Sequence, residues 1–141
     1  MGEAGRVVLA KRYLQAAWGG DFATCDALMT PDVVFIDSAG DRLEGFAECS
    51  AAARAFHRLE PNRSLDIREA FQRGDAVMLR VDLLAEDPRL RGRYLISVCI
   101  RDGRVYEWQT HRHKPVAYSR ALRRESSRAA VAQLSRLDKN R

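Results

Sequence analysis

The sequence predicts an α+β domain in which most helices come first and most strands follow. Two observations carry this. Up to residue 60 the apolar side chains recur mainly at helical spacing, and beyond residue 64 they recur at every second position. Turn dipeptides separate the later segments, which therefore read as an antiparallel meander. Helices set apart from such a sheet mean α+β and not a doubly wound α/β fold.

Residues 6–18 (RVVLAKRYLQAAW) place Val7, Ala10, Tyr13, Leu14, Ala17 and Trp18 on one helical face, and Gly19-Gly20 is the stop signal. Asp21 caps a second helix over 22–29, with Phe22, Cys25, Leu28 and Met29 on its buried side, and Thr30-Pro31 breaks it. Residues 32–37 (DVVFID) are β-branched and aromatic and predict a strand, followed by a turn at Ser38-Ala39-Gly40-Asp41. The Ala-rich stretch FAECSAAARAFHRL predicts a third helix over 46–59, closed by Pro61.

From there the period changes. Leu65, Ile67 and Phe71 alternate with polar residues up to a turn at Gly74-Asp75. Val77, Leu79, Val81 and Leu83 define the next strand, and Tyr94, Ile96, Val98 and Ile100 the one after a loop at Asp87-Pro88. Asp102-Gly103 is a tight hairpin signal, and residues 104–113 (RVYEWQTHRH) form the last strand. The apolar face of these strands needs a cover, and the three N-terminal helices are the available one.

Composition narrows the function classes. A chain of 141 residues suits one core, and no apolar run reaches the roughly 18 residues of a membrane span. The N-terminal residues carry no signal-peptide pattern, so the expected location is the cytoplasm, with no membrane partner. Cys25, Cys49 and Cys99 form no CxxC pair and read as small buried hydrophobes. The net charge of +5 is confined to residues 117–141, while residues 1–116 balance acid and base. The domain thus has no bias toward polyanions, and a nucleic-acid partner is not expected. The basic extension 117–141 is helix-prone, with Tyr118, Leu122, Ala129, Leu134 and Leu137 as a thin apolar stripe and Ser126-Ser127 weakening its middle.

The stretch KRYLQAAWGGDFATCDALMTPDVVFIDSAGDRLEG, residues 11–45, resembles the opening of the ketosteroid isomerase and SnoaL-like polyketide cyclase superfamily, with its nuclear transport factor 2-like fold. The hairpin IRDGRVYE, residues 100–107, is similar to the family's penultimate turn. The resemblance implies a cone-shaped, curved antiparallel sheet wrapped around the helices. It also implies an apolar pocket open at one end, a homodimer built on the outer face of the sheet, and no cofactor. The implied chemistry is proton transfer on a small hydrophobic carbonyl compound, as isomerisation, cyclisation or dehydration. The same fold also hosts non-catalytic ligand-binding or dimerisation modules.

Asp37 matches the family's proton-abstracting carboxylate, and an Asp at this point can equally start a turn by bonding the backbone after it. Tyr13 matches the phenolic donor that stabilises a developing oxyanion, and it can equally be a core tyrosine. A second, protonated aspartate would fall at Ile96 or Ser97, and neither is an acid. Trp18 and Phe35 are expected to shape the pocket. In the last strand only one face can point inward, and the family pattern favours Trp108, Thr110 and Arg112 over Glu107, His111 and His113. His111 and His113 remain candidate proton shuttles or ligand contacts. A metal site is not expected, because His57 lies on a helix away from the pair.

Overall fold

A computed structural model of the chain describes residues 2–139. Helix α1 (Glu3–Gly19) is followed by α2 (Phe22–Ala27), strands β1 (Met29–Ile36) and β2 (Arg42–Glu44), and α3 (Phe46–Leu59). The meander β3 (Ser64–Arg73), β4 (Ala76–Leu84), β5 (Gly92–Arg101) and β6 (Arg104–His111) comes next, and α4 (Ser119–Lys139) closes the chain. One curved, unclosed sheet has the order β2-β1-β6-β5-β4-β3.

The alternation read from the sequence sets the faces. Val77, Leu79, Val81 and Leu83 of β4, with Tyr94, Ile96, Val98 and Ile100 of β5, are all buried on the concave side. Tyr13 and Leu14 of α1 lie in the same core, essentially without solvent exposure. Register shifts between Ile67 and Glu69 and between Cys99 and Ile100 are the bulges that accompany the bend. Gly20 takes a left-handed φ of 78° and its N–H bonds the Ala16 carbonyl, ending α1. The β5–β6 hairpin needs positive φ at both loop residues, and Asp102 (53°) and Gly103 (74°) supply it.

Four expectations change in detail. The second helix stops at Ala27, because Met29 pairs with Val105 of β6 and draws Met29-Thr30-Pro31 into β1. Pro31 sits in the shifted stretch of that pairing, where a missing N–H is tolerated. The sheet is not wholly antiparallel: β1 runs parallel to β6, with Phe35 beside Trp108. Strand β2 was not anticipated; it is three residues long, and only Leu43 of it is buried. The last strand ends at His111 and not at residue 113.

Helix α4 runs without a break through Ser126, whose hydroxyl donates to the Leu122 carbonyl. Its first turns pack on α3. Leu122 and Glu125 are buried there, and Arg58 of α3 donates to Glu125 at 3.1 Å. Farther along, Val131, Leu134 and Leu137 are exposed.

Candidate functional site

Between α1, α3, the β1–β6 pair and the segment entering α4 lies a cavity of about 100 Å³. Helical spacing brings Tyr13, Ala17 and Trp18 of α1 to one wall and Cys49, Ala52, Ala53 and Phe56 of α3 to another. Phe35, Trp108 and Thr110 come from the sheet, and Val116, Tyr118 and Leu122 close the remaining side.

The aromatic rings form one connected cluster. Trp108 is the hub, with ring centroids 5.6 Å from Tyr13, 5.7 Å from Trp18 and 4.4 Å from Phe35. Trp18 meets Phe56 edge-on at 5.9 Å, and Phe56 meets Tyr118 at 6.1 Å. Edge-to-face contacts of this kind add to the area each ring buries and hold the wall in one shape.

The polar groups of the cavity are few, and most are donors. The indole N–H groups of Trp18 and Trp108 are buried and have no hydrogen-bond partner. Trp108 comes near enough to the Tyr13 hydroxyl to favour its ionised form slightly, yet the two do not reach the geometry of a hydrogen bond. Burial dominates, and with Cys25 and Cys49 alongside it pushes the Tyr13 phenol well above its ordinary value. Tyr13 is therefore a neutral donor at any physiological pH. Burial also pushes the thiols of Cys25 and Cys49 up to about 11 and about 12, so neither is a ready nucleophile. No Lys, Arg or His belongs to the lining, and Asp37 is its single carboxylate.

Asp37 is 2% exposed, and backbone groups engage both of its oxygens. Oδ1 accepts from the N–H of Ala39 at 2.9 Å and of Asp41 at 3.0 Å, which fixes the β1–β2 turn. Oδ2 accepts from the N–H of Ser119 at 3.1 Å, the first residue of α4. The turn-forming reading of this residue is thus realised, and the carboxylate also caps a helix that begins 82 residues later. Beside it, Ser38 Oγ accepts from the Val116 N–H at 2.8 Å.

The structure gathers Tyr13, Trp18, Phe35, Asp37 and Trp108 around one cavity and leaves His111, Arg112 and His113 outside it. His111 and His113 lie on the convex face in an open groove with Arg68, Arg80, Asp82 and Arg93. Among the described residues no group of three His, Cys, Asp or Glu side chains is placed to hold a metal ion. Arg112 corrects the inward placement expected for it. Strand alternation ends with His111, and the Arg112 guanidinium turns to the carbonyls of Arg89 at 2.6 Å and Arg91 at 3.0 Å and to the Tyr94 hydroxyl at 2.7 Å. It touches the cavity only through Tyr94, which lines it and donates onward to the Leu90 carbonyl at 2.6 Å. Sequence reasoning missed Phe56, Tyr94, Tyr118 and Leu122 as site residues. Phe56, Tyr118 and Leu122 lie in the apolar stripes of 46–59 and 117–141 and Tyr94 in the alternation of β5, but nothing local distinguished cavity from core.

No curated protein sequence matches the chain. Among solved structures, a Sinorhizobium meliloti protein named as a polyketide cyclase is similar with a TM-score of 0.66 and 20% identity, covering 73% of this chain and 93% of its own. A LEH-like epoxide hydrolase of M. tuberculosis is similar with a TM-score of 0.64 and 20% identity, over 94% of this chain and 97% of its own. A Kribbella flavida protein named as a ketosteroid isomerase gives 0.61 and 19%, over 82% and 86%. At such identities these likenesses show the fold alone. No helix among the described residues is long and apolar enough to cross a membrane. The SnoaL-like domain matches residues 10–108, most of the folded body including Tyr13, Asp37 and Trp108, and the chain belongs to that family.

Proposed function

We propose that the cavity binds a small, neutral, mostly apolar molecule bearing a hydrogen-bond acceptor such as a carbonyl oxygen. One observation carries this reading: two buried indole N–H groups without partners, beside a phenol that stays protonated, in a cavity with no cationic side chain. An unpartnered buried donor costs about 1–3 kcal/mol, and a ligand acceptor that displaces neighbouring side chains enough to reach either N–H would recover part of it. The lack of a cation disfavours carboxylates and phosphates. Size is a further limit. An engineered apolar cavity of about 150 Å³ accepts benzene, so a space of about 100 Å³ suits a compact ligand and not a steroid skeleton.

Proton transfer on the bound carbonyl compound is the second reading, with Asp37 as base and Tyr13 as the donor to the oxyanion. It is supported by both residues lining the same cavity, and by a fold whose similar structures are named as cyclase, epoxide hydrolase and isomerase. The three backbone bonds on Asp37 count against it, since they leave one of its roughly four lone-pair sites, on Oδ2, to take a proton.

Tryptophan fluorescence, with Trp18 and Trp108 both in the cavity, tests the first reading directly. Cyclohexanone should bind about fivefold more tightly than cyclohexane, and Trp108→Phe should reduce the difference, with Trp18 and Tyr13 left as donors. Equal affinities in the wild-type chain would refute it. Deuterium exchange at the ketone α-carbon, lost in Asp37→Asn with affinity retained, would establish the second reading. No exchange would leave a binding module.

A further inference from the structure

At about 100 Å³ the cavity is below the roughly 150 Å³ that accepts benzene, so a ring-sized ligand gains room only where a wall can yield, and the walls are not equally built. Strand β6 is paired on both sides, by β1 and β5. Helix α1 lies within the concave face with Ala10 and Leu14 fully buried. Moving either would break sheet ladders or the main core.

Helix α3 packs on β1 and α2 and buries Cys49, Ala52 and Ala55, so it too is held by the core. The wall formed on the way into α4 is different. Residues 112–118 belong to no helix or strand and lead into α4. Over the cavity this segment and the start of α4 lay only Val116, Tyr118 and Leu122. Polar clasps hold it down. The Ser119 N–H bonds Asp37 and the Val116 N–H bonds Ser38. Arg58 bonds Glu125 at 3.1 Å, and Arg123 bonds Glu48 at 2.8 Å and the Arg42 carbonyl. The two ion pairs each have a partner at least 40% exposed, so they are readily exchanged for water. Over residues 131–138 the helix is exposed on every side, so outward movement of this stretch would leave no further core uncovered.

We propose that residues 116–125 form the yielding wall of the cavity, and that Tyr118 and Leu122 set the size of ligand it admits. The size assignment rests on the binding reading above; the yielding of the wall does not. Asp37 then serves as the latch that joins the β1–β2 turn to the wall.

The experiment uses the full-length chain and reads two independent signals. The first is modification of cysteines by methyl methanethiosulfonate, followed by peptide mass spectrometry. Cys25 and Cys49 line the cavity, and Cys99, on β5, is the internal control. Loosening the clasps with Arg58→Ala and Arg123→Ala together should raise the Cys25 and Cys49 rates about fivefold with Cys99 unchanged. Unchanged cavity thiols, or all three rising together, would overturn the proposal. The second signal is relative affinity for 2-acetylnaphthalene against cyclohexanone. Leu122→Ala and Tyr118→Ala should each shift this ratio about tenfold toward the larger ketone. An unshifted ratio would overturn the size assignment. Should the thiols respond while neither ketone binds any variant, the wall stands and the carbonyl-ligand reading falls.

Discussion

Replacing Asp37 separates a structural carboxylate from a catalytic one, because the two roles predict opposite effects on stability. Its three hydrogen bonds are unequal. Ser119 is fully buried, so no water replaces the acceptor lost at its N–H, and a buried bond to a charged group contributes about 1.5–3 kcal/mol. Ala39 is exposed and Asp41 is partly so, and water can satisfy both N–H groups at a residual loss of about 0.5–1 kcal/mol each. Asp37→Ala should therefore cost about 2.5–5 kcal/mol, a large part of the roughly 5–15 kcal/mol by which a domain is stable. Asp37→Asn keeps one oxygen for the turn and sets an amide N–H2 against the Ser119 N–H. It should lose about 1.5–3 kcal/mol.

Urea unfolding followed by far-ultraviolet circular dichroism measures both numbers, with the slope unchanged if the transition remains two-state. Hydrogen exchange locates the effect: the Ser119 and Leu122 amides should lose protection in Asp37→Asn, and those of β4 and β5 should not. A carboxylate kept only for chemistry behaves otherwise, since removing a strained active-site charge commonly leaves stability unchanged or raises it. An Asn variant as stable as wild type, with Ser119 still protected, would refute the latch assignment and favour the base.

Two further outcomes follow from the clasps. The Arg128 guanidinium, with Arg58 beside it, holds the Glu125 carboxyl below its ordinary value, so the unfolded chain takes up that proton first as pH falls. The stabilisation is complete above the ordinary carboxylate value of about 4.3 and is lost as pH falls through the lower folded value, so the stability gap between wild type and Glu125→Gln should be present at about pH 7 and vanish near pH 2. Arg112→Met retains the apolar stem but removes the donors to Arg89, Arg91 and Tyr94. Urea titration should show a loss of about 1–3 kcal/mol, with faster hydrogen exchange confined to residues 85–94, and exchange that stays slow there would refute this holding role of Arg112.

How legible each part was depended on how far apart in the chain its partners lie. The faces of β4 and β5 and the bounds of α3 follow from side chains within one element, and Asp102-Gly103 fixes its hairpin through two residues. Strand β2 is too short to carry a period, and its existence depends on Leu43 finding the cavity floor. The parallel pairing of β1 with β6 joins residues more than 70 positions apart, which no local pattern encodes. Arg112 was misplaced because parity was carried one residue past the end of a strand.

Asp37 and the basic extension show the same dependence more sharply. Both readings of Asp37 were written in the segment DVVFIDSAG, but the Ser119 N–H that its carboxylate also holds lies 82 residues away. Net charge divided the chain at residue 116 and made 117–141 look separate. Charge balance within a segment, however, does not show where its ions are paired. Glu48 and Arg58 belong to the balanced part, and their partners Arg123 and Glu125 belong to the extension. Two of the side chains that close the cavity, Tyr118 and Leu122, therefore sit beyond the boundary that composition suggested.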